Sequence, residues 1–129
     1  MTIFEPGPSE TTIILLHGTG GSEQDLIPIA KFLAPQAARL ALGGRVVEND
    51  QARYFAHTPD GGFDLDDARR QATWLTGELT RLLAKYHRDA QHAIVLGYSN
   101  GANIAAFATL HQSVPWRDAM LLHPVSISP

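Results

Sequence analysis

The pentapeptide Gly97-Tyr98-Ser99-Asn100-Gly101 stands between an apolar run, Ala93-Ile94-Val95-Leu96, and a stretch of helical character from Ala102 to Leu110. A short buried strand that turns into a helix within five residues leaves a chain few architectures, because each partner must bury its apolar face against the other. A turn this tight drives its apex residue toward positive φ, and the residues two before and two after it must be small for the chain to pass itself. Gly97 and Gly101 meet that need, and Ser99 takes the apex. The serine oxygen then lies beside a helix N-terminus, whose free N–H groups favour negative charge.

The same alternation runs through the rest of the chain. Thr11 to Leu16 reads as a buried strand ending in the glycine loop His17-Gly18-Thr19-Gly20-Gly21. Asp25 is the expected cap of a helix over Leu26 to Ala34, with Pro28 tolerated in the first turn. Arg39 to Leu42 reads as a weaker strand, followed by a loop from Gly43 to Asp64 that is long enough to suggest function. Apolar residues at Ala68, Ala72, Leu75, Leu79, Leu82 and Tyr86 fall on one face of the longest helix, with Asp66 and Asp67 in its first turn. Ala119 to Leu122 closes the series as a further strand. Strands alternating with helices predict a three-layer α/β fold: a parallel sheet with helices on both faces and its ligand site at the strands' carboxyl ends.

Composition narrows the function classes. A chain of 129 residues, 44% hydrophobic and 18% charged, holds one core and therefore one domain, residues 1–129. Ten basic residues against thirteen acidic give a net charge of −3 with no basic stretch, which argues against nucleic acid as a partner. The absence of cysteine removes disulfides and a thiolate nucleophile, and it makes the cytoplasm the expected location. Met1 to Phe4 carries no signal-peptide pattern, and no apolar run approaches a membrane span. No histidines or carboxylates are spaced as a metal site, so neither a metal nor a cofactor is expected.

Together, a strand ending in His-Gly-x-Gly-Gly and a Gly-x-Ser-x-Gly turn about 80 residues later resemble the α/β-hydrolase superfamily, in its carboxylesterase/phospholipase branch of small cytosolic serine esterases. Residues 97–105 are similar to that branch's nucleophile elbow. Gly44 to Phe55 is similar to its loop of Glu-Asn followed by Arg and two aromatics, with Asp50 where glycine is commoner. The resemblance implies that Ser99 is a nucleophile toward a small or medium carboxylic ester, with the backbone N–H groups of Thr19 and Asn100 as its oxyanion hole. His17, Gly18, Tyr98 and His123 are the candidates for the substrate pocket, and Ile27, Phe55 and Phe63 are further candidates for its apolar lining.

In this fold the acid and the histidine follow the serine, and downstream of residue 99 stand only Asp118, His111 and His123. Asp118 precedes its strand and so sits at the wrong end, and His111 closes a helix that runs away from the serine. His123 emerges at the correct edge but has no acidic partner. The family's last strands, whose loops carry the acid and the base, find no counterpart here, so the sequence reads as a C-terminally shortened α/β-hydrolase domain. A second reading follows from that: a catalytically silent, hydrolase-like module that binds a ligand, or that pairs with another copy through the open strand edge near Leu122.

Overall fold

The computed structural model describes residues 1–124. Seven strands and three α-helices follow one another along the described residues. They are β1 (Thr2–Glu5), β2 (Thr12–Leu16), α1 (Ile27–Leu33), β3 (Ala38–Leu42), β4 (Val46–Glu48), β5 (Gln51–Arg53), α2 (Leu65–Lys85), β6 (Ala93–Tyr98), α3 (Asn100–His111) and β7 (Asp118–Leu122). Five strands form one sheet in the order β1-β3-β2-β6-β7, and β4 pairs with β5 in a separate ribbon.

Alternation along the strands sorts the core into two layers. Ile14, Leu16, Leu40, Leu42 and Val95 pack with Ala72, Leu75, Leu79 and Leu82 of α2 and Ile104 and Ala108 of α3. Ile13, Leu15, Ala41 and Leu96 point the other way, against Ala30 and Ile27 of α1. The central strand β2 is therefore buried along its whole length, as a strand covered on both faces must be. Helices on both faces of a largely parallel sheet make this the three-layer α/β fold of α/β-hydrolase type.

Three local features differ from the sequence expectation. The sheet is mixed rather than wholly parallel: β1 runs antiparallel to β3, with Thr2 opposite Leu42 and Glu5 opposite Arg39. Asp25 does not cap α1, whose N-cap is Leu26 without a side-chain bond. Its carboxylate instead accepts from the Ser22 N–H and hydroxyl at 3.1 and 3.2 Å, closing a turn that competes with capping. The 43–64 segment is not a bare loop but carries the β4–β5 hairpin, turned by Asn49 and Asp50 at φ 53° and 61°. Both central residues at positive φ define the type I′ turn that matches strand twist. Helix α2 begins at Leu65 with Asp66 and Asp67 in its first turn, as expected, and Asp64 caps it by accepting from Asp67 N at 2.9 Å.

Candidate active site

Parallel pairing of β2 with β6 sets Leu16 opposite Gly97, so the His17 loop and the Ser99 turn leave adjacent strands at the same edge of the sheet. Ser99 adopts φ 52° and ψ −111° between β6 and α3, a conformation that side chains ordinarily avoid. Both flanking glycines are obligatory on steric grounds. A Cβ on Gly97 would lie 2.8 Å from the backbone of Gly101 and Ala102, and one on Gly101 would lie 2.1 Å from the Leu16 carbonyl oxygen. The strained turn is anchored by Ser99 N, which donates to Leu122 O at 2.8 Å, and by Ser99 O, which accepts from Asn103 N at 2.9 Å.

The half-buried Ser99 hydroxyl makes no hydrogen bond to any described residue. Asn100 opens α3, so its N–H has no partner within the helix. Thr19 lies exposed in the glycine loop, and its N–H is likewise unpaired among the described residues, whereas the adjacent Gly20 N–H donates to Ala52 O at 2.9 Å. A hydroxyl at a helix start, with unpaired N–H groups on two neighbouring loops, is the arrangement in which developing oxyanion charge can be met by fixed dipoles.

Of the pocket candidates, Gly18 and Tyr98 lie together at this edge: a Cβ on Gly18 would approach Tyr98 Cδ2 to 2.9 Å, and the Tyr98 ring is 43% exposed. His123 follows β7 at φ 53° and sets its ring edge-on against Tyr98 at 5.7 Å between centroids, with no bond to Ser99. His17 turns inward instead of toward the cleft. Its Nε2 accepts the Gly44 N–H at 3.1 Å, which leaves Nδ1 to carry the proton and donate to Gly18 O at 2.7 Å. A histidine 2% exposed with both ring nitrogens engaged is a strut of the loop and not a pocket wall. Phe55 is also corrected: it is fully buried in the core and packs edge-on with Phe63.

The remaining candidates lie away from Ser99. Asp118 pairs with Ile94, four positions before Tyr98, so it lies about 13 Å from the Ser99 edge at about 3.3 Å per residue. His111 ends α3 against Phe107, with ring centroids 4.5 Å apart. Neither shares the edge with Ser99.

Sequence reasoning did not single out Arg53 and Tyr54, which the structure places behind both loops. Arg53 is 5% exposed, and its Nη1 donates to Thr19 Oγ1 at 3.0 Å. Burial lowers the Arg53 pKa, and Glu48, whose Oε1 lies 3.4 Å from its Nε, opposes that shift. Burial would raise the Glu48 carboxyl, but bonds from the His57 N–H and ring, together with Arg53, outweigh it and hold the carboxyl below its usual range. Tyr54 N donates to Asn100 Oδ1 at 2.6 Å, and its phenol, pushed far above its normal range by burial, donates to Leu42 O at 2.5 Å. The signal available was the Arg-aromatic-aromatic run at residues 53–55, noted as a loop motif without a role. An open cleft of about 510 Å³ lies beside the same hairpin, lined by Glu48, Asn49, His57, Thr58, Pro59 and Gly61, and includes none of the residues around Ser99.

No family model matches the chain. It is 37% identical over 123 residues to the Bacillus subtilis (strain 168) protein named "Putative hydrolase MhqD", a match that covers 95% of this chain and 62% of that one. It superposes on the Bacillus cereus carboxylesterase with a TM-score of 0.93 at 35% identity, over 98% of this chain and 61% of that one. It also superposes on YahD, solved with malic acid, with a TM-score of 0.95 at 32% identity, over 100% of this chain and 66% of that one. The chain thus spans less than two thirds of the length of each of these proteins. With its strand order, its strained serine turn and these likenesses, the chain has a fold of α/β-hydrolase type and is similar, over the part that it spans, to solved carboxylesterases.

Proposed function

We propose that Ser99 is the nucleophile of a serine hydrolase that cleaves small or medium carboxylic esters through an acyl-enzyme. The observation that carries this reading is the strained φ of 52° at Ser99, held between two glycines that tolerate no side chain. Strain of this kind persists where the surrounding structure over-determines it, and it clusters at reactive residues. Ser99 Oγ attacks the ester carbonyl carbon, and the carbonyl oxygen gains negative charge that the Thr19 and Asn100 N–H groups receive. The alcohol leaves as the tetrahedral intermediate collapses, taking the proton that a base had removed from Ser99, and water then releases the acid by the reverse sequence. The carboxylesterase likeness supports an ester as the substrate.

Among the described residues neither the base nor the acid of a triad stands beside Ser99. His17 spends its Nε2 on Gly44, and His123 faces Tyr98. On this reading the base comes from polypeptide outside these 129 residues. The same observation favours a second reading, a silent ligand-binding or oligomerising module. Among the described residues β7 pairs only with β6 and exposes Met120 and Leu122, an edge suited to a second copy.

Hydrolysis of p-nitrophenyl acetate and butyrate separates the two readings, with added imidazole standing in for the base. Imidazole-dependent turnover that Ser99→Ala abolishes is the result expected of the hydrolase. Equal rates for Ser99→Ala and the unaltered chain at every imidazole concentration would leave the silent module.

A further inference from the structure

We propose that Arg53 and Tyr54 are positioning residues, a two-residue brace that fixes the Thr19 and Asn100 N–H groups relative to one another across the Ser99 site. The proposal rests on the reading of Ser99 as nucleophile and adds to it a role for the β4–β5 hairpin.

The two N–H groups belong to separate segments, each with bonds of its own, Gly21 N to Gly18 O at 3.0 Å in the loop and Asn103 N to Ser99 O at 2.9 Å at the helix start, and none of these bonds sets Thr19 against Asn100. Thr19 sits among Gly18, Gly20 and Gly21, whose backbones rotate freely unless tied. Asn100 starts a helix and moves with α3. Consecutive hairpin residues tie both segments down: Arg53 Nη1 to Thr19 Oγ1 at 3.0 Å, and Tyr54 N to Asn100 Oδ1 at 2.6 Å. Ala52 O adds a third tie, accepting Gly20 N at 2.9 Å.

The brace is itself rigid. Arg53 Nε donates to Phe55 O at 2.5 Å and lies 3.4 Å from Glu48 Oε1, so the guanidinium is held at Nε while Nη1 reaches Thr19. The Tyr54 phenol accepts His17 N at 3.1 Å, which anchors the first residue of the glycine loop to the same side chain. Asn100 keeps its Nδ2 buried without a partner among the described residues while its Oδ1 serves Tyr54. Native proteins retain such orphaned buried groups at a cost, and each calls for an explanation. Holding the Asn100 backbone in place supplies one.

A purely structural role would show as lost stability, whereas a positioning role shows in turnover with the fold intact. Thr19 is exposed, so Thr19→Val deletes the Arg53 acceptor without emptying the core. Thr19→Val and Arg53→Met should each lower the Ser99-dependent, imidazole-assisted kcat by about 10- to 100-fold with KM unchanged, the range expected when a reacting geometry slips by up to 1 Å. Thr19→Ser, which keeps the hydroxyl, should restore kcat. The double variant should be no slower than Arg53→Met alone, since both remove the same bond.

Amide ¹⁵N–¹H spectra give a readout independent of chemistry. In Arg53→Met the resonances of Thr19 and Asn100 should shift while those of the β2 and β6 core stay in place. Unmoved Thr19 and Asn100 resonances, or a Thr19→Val chain with unaltered kcat, would overturn the brace. Should Ser99→Ala cleave as fast as the unaltered chain, the nucleophile assignment fails, and the amide spectra alone decide whether the brace exists.

Discussion

Replacing Gly101 with alanine adds one methyl group at a point where three backbone atoms already occupy its space. The new Cβ would lie 2.1 Å from Leu16 O, 2.5 Å from Leu16 C and 2.6 Å from His17 O. An ordinary carbon–oxygen contact is about 3.3 Å or more, so the overlap exceeds roughly 1 Å. None of the three atoms can rotate away, and relief requires that β2 and α3 part. Parting them strains the Leu16–Gly97 pairing and the bond from His17 N to the Tyr54 phenol. Overpacking of a core costs about 1–3 kcal/mol, and two weakened buried hydrogen bonds add about 1 kcal/mol each. The better helix propensity of alanine returns less than about 1 kcal/mol at a helix start. The net loss is about 2–4 kcal/mol, a large share of the 5–15 kcal/mol typical of a domain.

Gly77, exposed midway along α2, provides the matched control, because a Cβ there meets nothing within 4 Å. Gly77→Ala should stabilise the chain by about 1 kcal/mol through propensity alone. Urea unfolding followed by circular dichroism reads both variants, with an unchanged slope confirming that the end states are comparable. A Gly101→Ala chain as stable as the parent, alongside a stabilised Gly77→Ala, would refute the steric account of the Ser99 turn.

Other perturbations test separate parts of the structure. Asp50→Gly removes a side chain held at φ 61° in the hairpin turn and should raise stability by about 0.5 kcal/mol, visible as a higher melting temperature. Arg88→Ala deletes donors to Ser9 O, Thr11 O and the buried Thr12 hydroxyl, and it should cost about 2–3 kcal/mol in urea unfolding. Burial pushes the Asp67 carboxyl upward, but bonds from Gln71 and Ala56 and the charge of Arg70 prevail and hold it below its usual value of 3.8. A carboxyl depressed by folding stabilises above its unfolded pKa, so that contribution should fade as the pH drops below about 4, and Asp67→Asn should flatten the acid limb of a stability–pH curve.

How much the sequence disclosed follows the range of the interactions involved. The strands β2, β3 and β6, the face of α2 and the Ser99 turn were legible because each is written in contiguous or helically spaced residues. Strand β1 was not, since one exposed and three half-buried residues become a strand only by pairing with β3. The β4–β5 hairpin escaped notice because its turn is Asn49-Asp50 where the recognisable signal is Asn-Gly. Phe55 was read as a pocket wall because an aromatic in a loop has no periodicity to reveal its burial. The brace was illegible for a different reason: Arg53 meets Thr19 across 34 positions and Tyr54 meets Asn100 across 46, and no local pattern encodes such bonds.

The central claim is that Ser99 is the reactive serine of a site already shaped within these residues. Treatment with a fluorophosphonate in the presence of imidazole, followed by peptide mass mapping, tests it most directly. The account predicts a single adduct on the peptide carrying Ser99, formed faster as imidazole is raised and lost in Ser99→Ala. No adduct at any imidazole concentration, or an adduct on a different residue that persists in Ser99→Ala, would contradict it.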